Sequence, residues 1–391
     1  MYGEVFLLLR RIFALLLVCL ISFGTMCAYA EESAPTLDLS AKSAILIEQT
    51  SGKVLFEKNA DEQLPLASVT KIMTMLLTME ALDSGKIMLD DMVVASERAK
   101  SMGGSTIFLD TGEEMSVHDL LKGIAVASGN DACVAMAEHI AGSEEGFVMM
   151  MNNRAQELGM INTHFVNTNG LDADGHYSSA RDISIMSREL LKHPKIFDYT
   201  TIWMDSLRDG KFQLANTNKL IRFYKGANGL KTGSTDKALS CLSASALRDN
   251  MQLICVVMAA PTSQNRFADA SKMLDFGFAN YAVKRIISKD EKIGDVAVLK
   301  GVQNSVGAVA KNDYDALISK GADKNIERVT MFDENISAPV KMGDKIGEIS
   351  LIDSDGEQIS TVEIVAENDV EMLNYGMIFT RILTKWLSSV I

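Results

Sequence analysis

The chain has 391 residues, 47% of them hydrophobic, with 51 acidic and 38 basic side chains for a formal charge of −13. That length exceeds one small domain, the apolar content is ample for a core, and no low-complexity segment points to disorder. The acidic balance argues against a nucleic-acid partner, because a phosphate backbone is held by positive charge.

The first 30 residues read as a secretory signal peptide. Arg10 and Arg11 precede an apolar run over 12–23, and Ala28-Tyr29-Ala30 supplies small residues for cleavage after Ala30. The run is short for a membrane span, so removal is expected rather than anchoring. The mature chain then carries −14, since 1–30 hold Arg10, Arg11 and Glu4, and it keeps Cys133, Cys241 and Cys255. Three sparse cysteines in apolar stretches make buried thiols, not a disulfide framework.

Residues 42–58 predict a hairpin around Thr50-Ser51-Gly52. From Pro65 to about residue 83 the pattern turns helical, with Ile72, Met75, Leu76, Met79 and Leu82 on one face. Further helices are expected over 117–127, 131–141, 144–158 and 180–191. Residues 238–247 and 250–260 read as adjacent buried strands joined at Arg248-Asp249, and a helix over 263–281 follows. Strands near both ends with helices between them imply one mixed α/β domain over 38–283. Residues 284–370 hold short alternating runs such as I-G-E-I-S-L-I and S-T-V-E-I-V-A, the pattern of a small all-β sandwich. In the segment 371–391, Met372, Tyr375, Phe379, Ile382, Leu383, Trp386 and Val390 share a helical face, with Arg381 and Lys385 adding positive charge. An amphipathic helix lying in a membrane surface is the expectation.

Ser68 and Lys71 form an S-x-x-K at the start of the first long helix, where positions i and i+3 share a face. A second S-x-x-K, Ser234 to Lys237, carries no meaning by itself. Ser128-Gly129-Asn130 falls between two helical stretches, a natural place for polar side chains to enter a cleft. Lys231-Thr232-Gly233 leads into the strand 238–247 and is expected to form an edge of the same cleft. No H-E-x-x-H, Cys/His cluster or glycine-rich phosphate loop occurs, so neither metal nor other cofactor is expected.

S-x-x-K, S-x-N and K-T-G, in that order, resemble the three motifs of serine penicillin-recognising enzymes. The stretches A-S-V-T-K-I-M-T, A-S-G-N-D-A-C, N-T-N-G-L-D-A-D-G-H-Y-S-S-A-R-D and G-L-K-T-G-S-T-D-K-A further resemble the low-molecular-mass penicillin-binding proteins of the D-alanyl-D-alanine carboxypeptidase family. The resemblance implies a β-lactamase/transpeptidase-like domain, a sheet flanked by helices, followed by a β sandwich and a C-terminal amphipathic helix. It implies an exported enzyme on the outer face of the cytoplasmic membrane that trims the terminal D-alanine from peptidoglycan stem pentapeptides and is acylated by β-lactams.

By the same resemblance Ser68 is the nucleophile and Lys71 its base, which requires a neutral amine. Burial and the second cation, Lys231, are expected to lower its pKa. Ser128 would relay a proton to the leaving amine, and Asn130 would orient Lys71 and the substrate amide. Lys231 and Thr232, with Gly233 and Ser234 beside them, would hold the terminal carboxylate, and Arg266 would add charge there. The backbone N–H groups of Ser68 and Ser234 would receive the oxyanion. Ser234 departs from many relatives, which carry a larger His or Tyr at that position. His176, in the G-H-Y-S-S stretch, is expected at the cleft edge as either a loop or a catalytic residue. Three alternatives share parts of this pattern: a serine β-lactamase, an endopeptidase and an inactive cell-wall scaffold. The first is disfavoured because residues 131–230 contain no E-x-x-L-N.

Overall fold

The structure is a computed structural model that describes residues 37–321, 326–353 and 356–388. The expected signal peptide over 1–30 lies outside the described residues.

The first part of the described chain is built on a five-stranded antiparallel sheet. The expected hairpin is present as β1 (Ser43–Glu48) and β2 (Val54–Lys58). The other three strands come from the far end of this part: β3 (Ala227–Thr235), β4 (Leu239–Arg248) and β5 (Met251–Ala260). Their order is β2-β1-β5-β4-β3, which leaves the K-T-G strand β3 at one edge.

Between the two groups of strands run α1 (Lys71–Asp83), α2 (Val117–Ala127), α3 (Asn130–Ala141), α4 (Glu144–Glu157) and α5 (Ala180–Leu190); α6 (Ser263–Asn280) follows β5. Ser116, Ser143, Ser179 and Thr262 cap α2, α4, α5 and α6 by accepting a backbone N–H with their side chains. The sheet is covered on both faces. Ser187 of α5 meets Ser243 of β4, whereas the Cys255 thiol of β5 meets the Ala270 carbonyl of α6. Ser243 pairs with Val256, one residue along from Cys255, so the two helices contact opposite faces. In α1 the predicted apolar face is buried, apart from the half-buried Leu82, but so is most of the opposite side, including Lys71, Thr74 and Thr78. This helix is central to the core, and a one-sided stripe understates its burial.

The chain then enters an all-β region. A two-stranded sheet joins β6 (Tyr281–Ile287) to β9 (Tyr314–Ser319). A five-stranded sheet is made from β7 (Lys292–Ala297), β8 (Ser305–Ala310), β10 (Glu327–Phe332), β11 (Lys345–Ile352) and β12 (Gln358–Ala366), in the order β7-β8-β12-β11-β10. Val296, Val306, Ile346, Ile349, Leu351 and Ile364 form its separate core. The last element is α7 (Tyr375–Ser388), which ends the described chain.

Candidate active site

Ser68 does not stand on the α-helix itself. It lies in a short 3₁₀ turn, Ala67–Thr70, that leads into α1, and its side chain is half-buried. The preceding residue, Ala67, has φ +49°, a left-handed conformation that costs a non-glycine residue energy. Two glycines close on the peptide group between Ala67 and Ser68. A Cβ added at Gly170 would lie 1.9 Å from the Ala67 carbonyl oxygen, and one at Gly233 would lie 2.9 Å from the Ser68 nitrogen. Only residues without side chains let these segments approach so closely.

Lys71 is the first residue of α1 and is fully buried. Its Nζ donates to Ser68 Oγ at 2.9 Å, to Asn130 Oδ1 at 2.6 Å and to the Asn169 carbonyl oxygen at 2.6 Å. Burial lowers its pKa to about 8, opposed by Cys133 and the Asp131 carboxylate. At pH 7 roughly one-tenth of such an amine is neutral, and reaching that form costs about 1.4 kcal/mol. Burial is the main cause of the lowering at Lys71, and repulsion between the two buried amines is mutual. Lys231 is held well below its ordinary value by burial first and by Lys71 second. Lys71 has three acceptors around its amine, whereas Lys231 Nζ donates to the Thr232 carbonyl at 3.0 Å.

Ser128 ends α2 in the left-handed conformation, φ 63° and ψ 33°, and α3 starts at Asn130. The S-G-N segment is thus the sharp corner between two buried helices. Asn130 is locked from three sides: its N–H donates to the Ser105 carbonyl, its Nδ2 to the Gly103 carbonyl, both at 2.7 Å, and its Oδ1 accepts from Lys71. That pattern fixes which way the amide points.

On the other side, β3 brings Lys231, Thr232 and Gly233 to the turn that carries Ser68. Thr232 Oγ1 donates to Thr217 Oγ1 at 2.7 Å, and Ser234 is exposed at the strand end. Arg266 is no surface arginine. It is buried on α6 and its Nη1 donates to the Gly233 carbonyl at 2.9 Å and to Ser234 Oγ at 3.0 Å, while burial lowers its pKa. The structure therefore brings Ser68, Lys71 and Asn130 into direct contact, and sets Arg266 against Gly233 and Ser234.

Sequence reasoning missed the supports behind these groups. Asn169 offers its backbone carbonyl, invisible to a search for reactive side chains. Glu144, buried at the start of α4, accepts from Thr168 Oγ1 at 2.9 Å and from Arg98 Nε at 2.8 Å, which fixes the residue before Asn169. The only available signal was the glycine in N-T-N-G, which marks a tight turn. His176 is buried behind the 3₁₀ turn, bonded to Thr70.

Comparisons with known proteins cover both halves of the chain. Residues 29–262 match the peptidase S11 family, described as D-alanyl-D-alanine carboxypeptidase, and residues 281–372 match the C-terminal domain of penicillin-binding protein 5. The D-alanyl-D-alanine carboxypeptidase DacF of Bacillus subtilis is 45% identical over 386 residues, covering 97% of this chain and 99% of the relative. The crystal structure of penicillin-binding protein 5 from Haemophilus influenzae superposes with a TM-score of 0.72 at 34% identity, over 86% of this chain and 99% of that one. Penicillin-binding protein D2 from Listeria monocytogenes, solved in its cefotaxime-bound form, matches with a TM-score of 0.58 at 33% identity, over 62% of this chain and 99% of its own.

Proposed function

The chain belongs to the D-alanyl-D-alanine carboxypeptidase family, peptidase S11, and from that premise we propose how its residues divide the work of a serine-type carboxypeptidase. Ser68 is the nucleophile. The neutral fraction of Lys71 accepts the Ser68 hydroxyl proton as Oγ bonds to the carbonyl carbon of the penultimate D-alanine of a peptidoglycan stem pentapeptide. The developing oxyanion is received by the N–H groups of Ser68 and Ser234. The peptide C–N bond then breaks, and the proton held on Lys71 passes through Ser128 Oγ to the departing amine of the terminal D-alanine. Water attacks the resulting ester, giving a proton back to the same lysine, and Ser68 is regenerated. Asn130 orients Lys71 and spends its second Nδ2 hydrogen on the substrate amide.

Lys231 and Thr232 hold the terminal carboxylate, which confines the reaction to a chain end. Arg266 braces the strand that carries them, and it adds positive charge beneath it. A β-lactam enters the same sequence; its leaving nitrogen stays tethered after ring opening, and the cefotaxime-bound relative supports this reading.

One observation carries the proposal: a fully buried lysine amine with a pKa of about 8 lies 2.9 Å from the Ser68 hydroxyl. Labelling by a fluorescent penicillin tests it, with Ser68→Ala as the control. Labelling of the wild type and none of Ser68→Ala is expected, and equal labelling of both would overturn it. Release of D-alanine from a pentapeptide, compared with cleavage of a cross-linked dimer, separates carboxypeptidase from endopeptidase action.

The segment 38–283 is proposed as the catalytic domain, 284–370 as an all-β companion, and 371–391 as a peripheral membrane anchor. No helix among the described residues is long and apolar enough to cross a bilayer. On α7, Phe379 is 68% exposed, Ile382 64% and Trp386 63%, which supports an interfacial helix with its apolar side in lipid. With the signal peptide removed, the enzyme would work on the outer face of the cytoplasmic membrane.

A further inference from the structure

His176 lies behind the nucleophile, and its hydrogen bonds have a direction. The backbone N–H of Val166 donates to His176 Nδ1 at 2.9 Å. A nitrogen that accepts carries no proton, so the neutral ring holds its hydrogen on Nε2. Nε2 lies 2.8 Å from Thr70 Oγ1 and donates to it. The threonine's single hydrogen is then free for the Ala67 carbonyl oxygen, 2.8 Å away. The chain runs one way: Val166 N–H to imidazole, imidazole to hydroxyl, hydroxyl to the Ala67 carbonyl. All of it is shielded, with Thr70 fully buried and His176 6% exposed. Burial, and His164 after it, lower the His176 pKa to about 4, with Asp172 opposing, so the ring is neutral throughout the physiological range.

The last acceptor gives this chain its meaning. The Ala67 carbonyl and the Ser68 N–H belong to one peptide group, and a hydrogen bond at the oxygen orients the plane and polarises the N–H at its other end. This peptide follows a residue at φ +49° and is flanked by Gly170 and Gly233, so its direction is imposed by surroundings and not by local preference. We infer that His176, acting through Thr70, is a positioning residue that aims and strengthens the Ser68 N–H as an oxyanion donor. The inference rests on the proposed role of Ser68.

A pair of substitutions dissects the chain. In His176→Gln the amide nitrogen can take the place of Nε2 and keep the bond to Thr70. In His176→Asn the shorter side chain can replace only Nδ1, so Val166 stays paired and Thr70 loses its donor. Thr70→Val removes the link to Ala67 with little change in volume. Losing an entire oxyanion donor slows an enzyme about 10²–10³-fold, and weakening one is expected to slow acylation about tenfold.

The experiment measures the acylation rate constant and the pre-acylation binding constant separately with a chromogenic β-lactam, alongside melting temperature and mass-spectrometric mapping of the adduct. His176→Asn and Thr70→Val should lose about tenfold in the acylation step with binding little changed, because the oxyanion exists only beyond the ground state. His176→Gln should stay within about threefold of wild type. Equal losses in the Gln and Asn variants that track melting temperature would reduce His176 to a structural role and overturn the inference. Wild-type acylation in Thr70→Val or His176→Asn, with the adduct on Ser68, would overturn it while leaving the nucleophile intact. An adduct elsewhere than Ser68 in the wild type would overturn both.

Discussion

Lys71 Nζ lies 2.6 Å from the carbonyl oxygen of Asn169, the same distance that separates it from Asn130 Oδ1. A neutral amine has two hydrogens and one lone pair. If those two acceptors hold the hydrogens, the lone pair is left facing Ser68 Oγ, the third neighbour at 2.9 Å. In the proposed mechanism the backbone carbonyl thus takes part in aiming the base. Its position depends on Thr168, whose hydroxyl donates to Glu144 and whose carbonyl accepts from Thr74 Oγ1 at 2.6 Å.

Glu144→Ala should disturb that support. It leaves the Thr168 hydroxyl buried without its acceptor and removes one of the two carboxylate partners of Arg98, at an expected cost of about 2 kcal/mol. Denaturant unfolding should show the loss, and acylation by penicillin should slow about tenfold as the Asn169 carbonyl drifts from Lys71. Unchanged acylation in a measurably destabilised protein would separate the loop from the base.

Lys71→Met keeps an unbranched apolar stem as far as Cε and removes the terminal amine that accepts the proton. Acylation should fall by about 10³-fold or more, as expected when the partner of an activated nucleophile is lost. Circular dichroism checks that the fold survives. Acylation near the wild-type rate would rule out lysine as the base.

Gly170→Ala and Gly233→Ala probe the enclosure of the Ser68 turn. The first adds strain at φ +90° and places a methyl 1.9 Å from the Ala67 carbonyl oxygen, a contact that demands backbone movement. Destabilisation of about 1–3 kcal/mol is expected for each, more for Gly170, together with slower acylation. A melting temperature and acylation rate equal to wild type would show that the turn yields freely.

Truncation after Glu371 should release the mature enzyme from membranes and spare its activity on small peptides. Vesicle flotation checks the first and D-alanine release the second. Persistent membrane association would remove α7 as the sole anchor.

Much of this architecture was legible in the sequence because its signals are periodic. The helices over 117–127 and 144–158 match α2 and α4 to within a residue, since each pairs an apolar stripe with a serine cap. The motif residues were legible because reactive side chains at fixed spacing carry chemistry on their face. What stayed hidden acts across the chain. Asn169 is 98 residues from the lysine it faces, and His176 is 106 from the threonine it holds. Neither spacing leaves a local pattern. The 3₁₀ turn also escaped notice, because Pro65 and the following apolar residues fit a continuous helix, and only the crowding by Gly170 and Gly233 sets Ala67 apart. Arg266 was legible as a cation but not as a brace, which depends on how α6 meets β3.

The most direct test of the account is the pH dependence of the second-order rate constant for acylation of Ser68, with the adduct mapped to that residue. On the proposed mechanism Lys71 is active when deprotonated, so the rate should rise with pH and level off above its pKa of about 8, increasing nearly tenfold per unit well below that value. A rate that stays flat or falls between pH 6 and 9, on a time scale where the protein remains folded, would contradict lysine-assisted attack by Ser68.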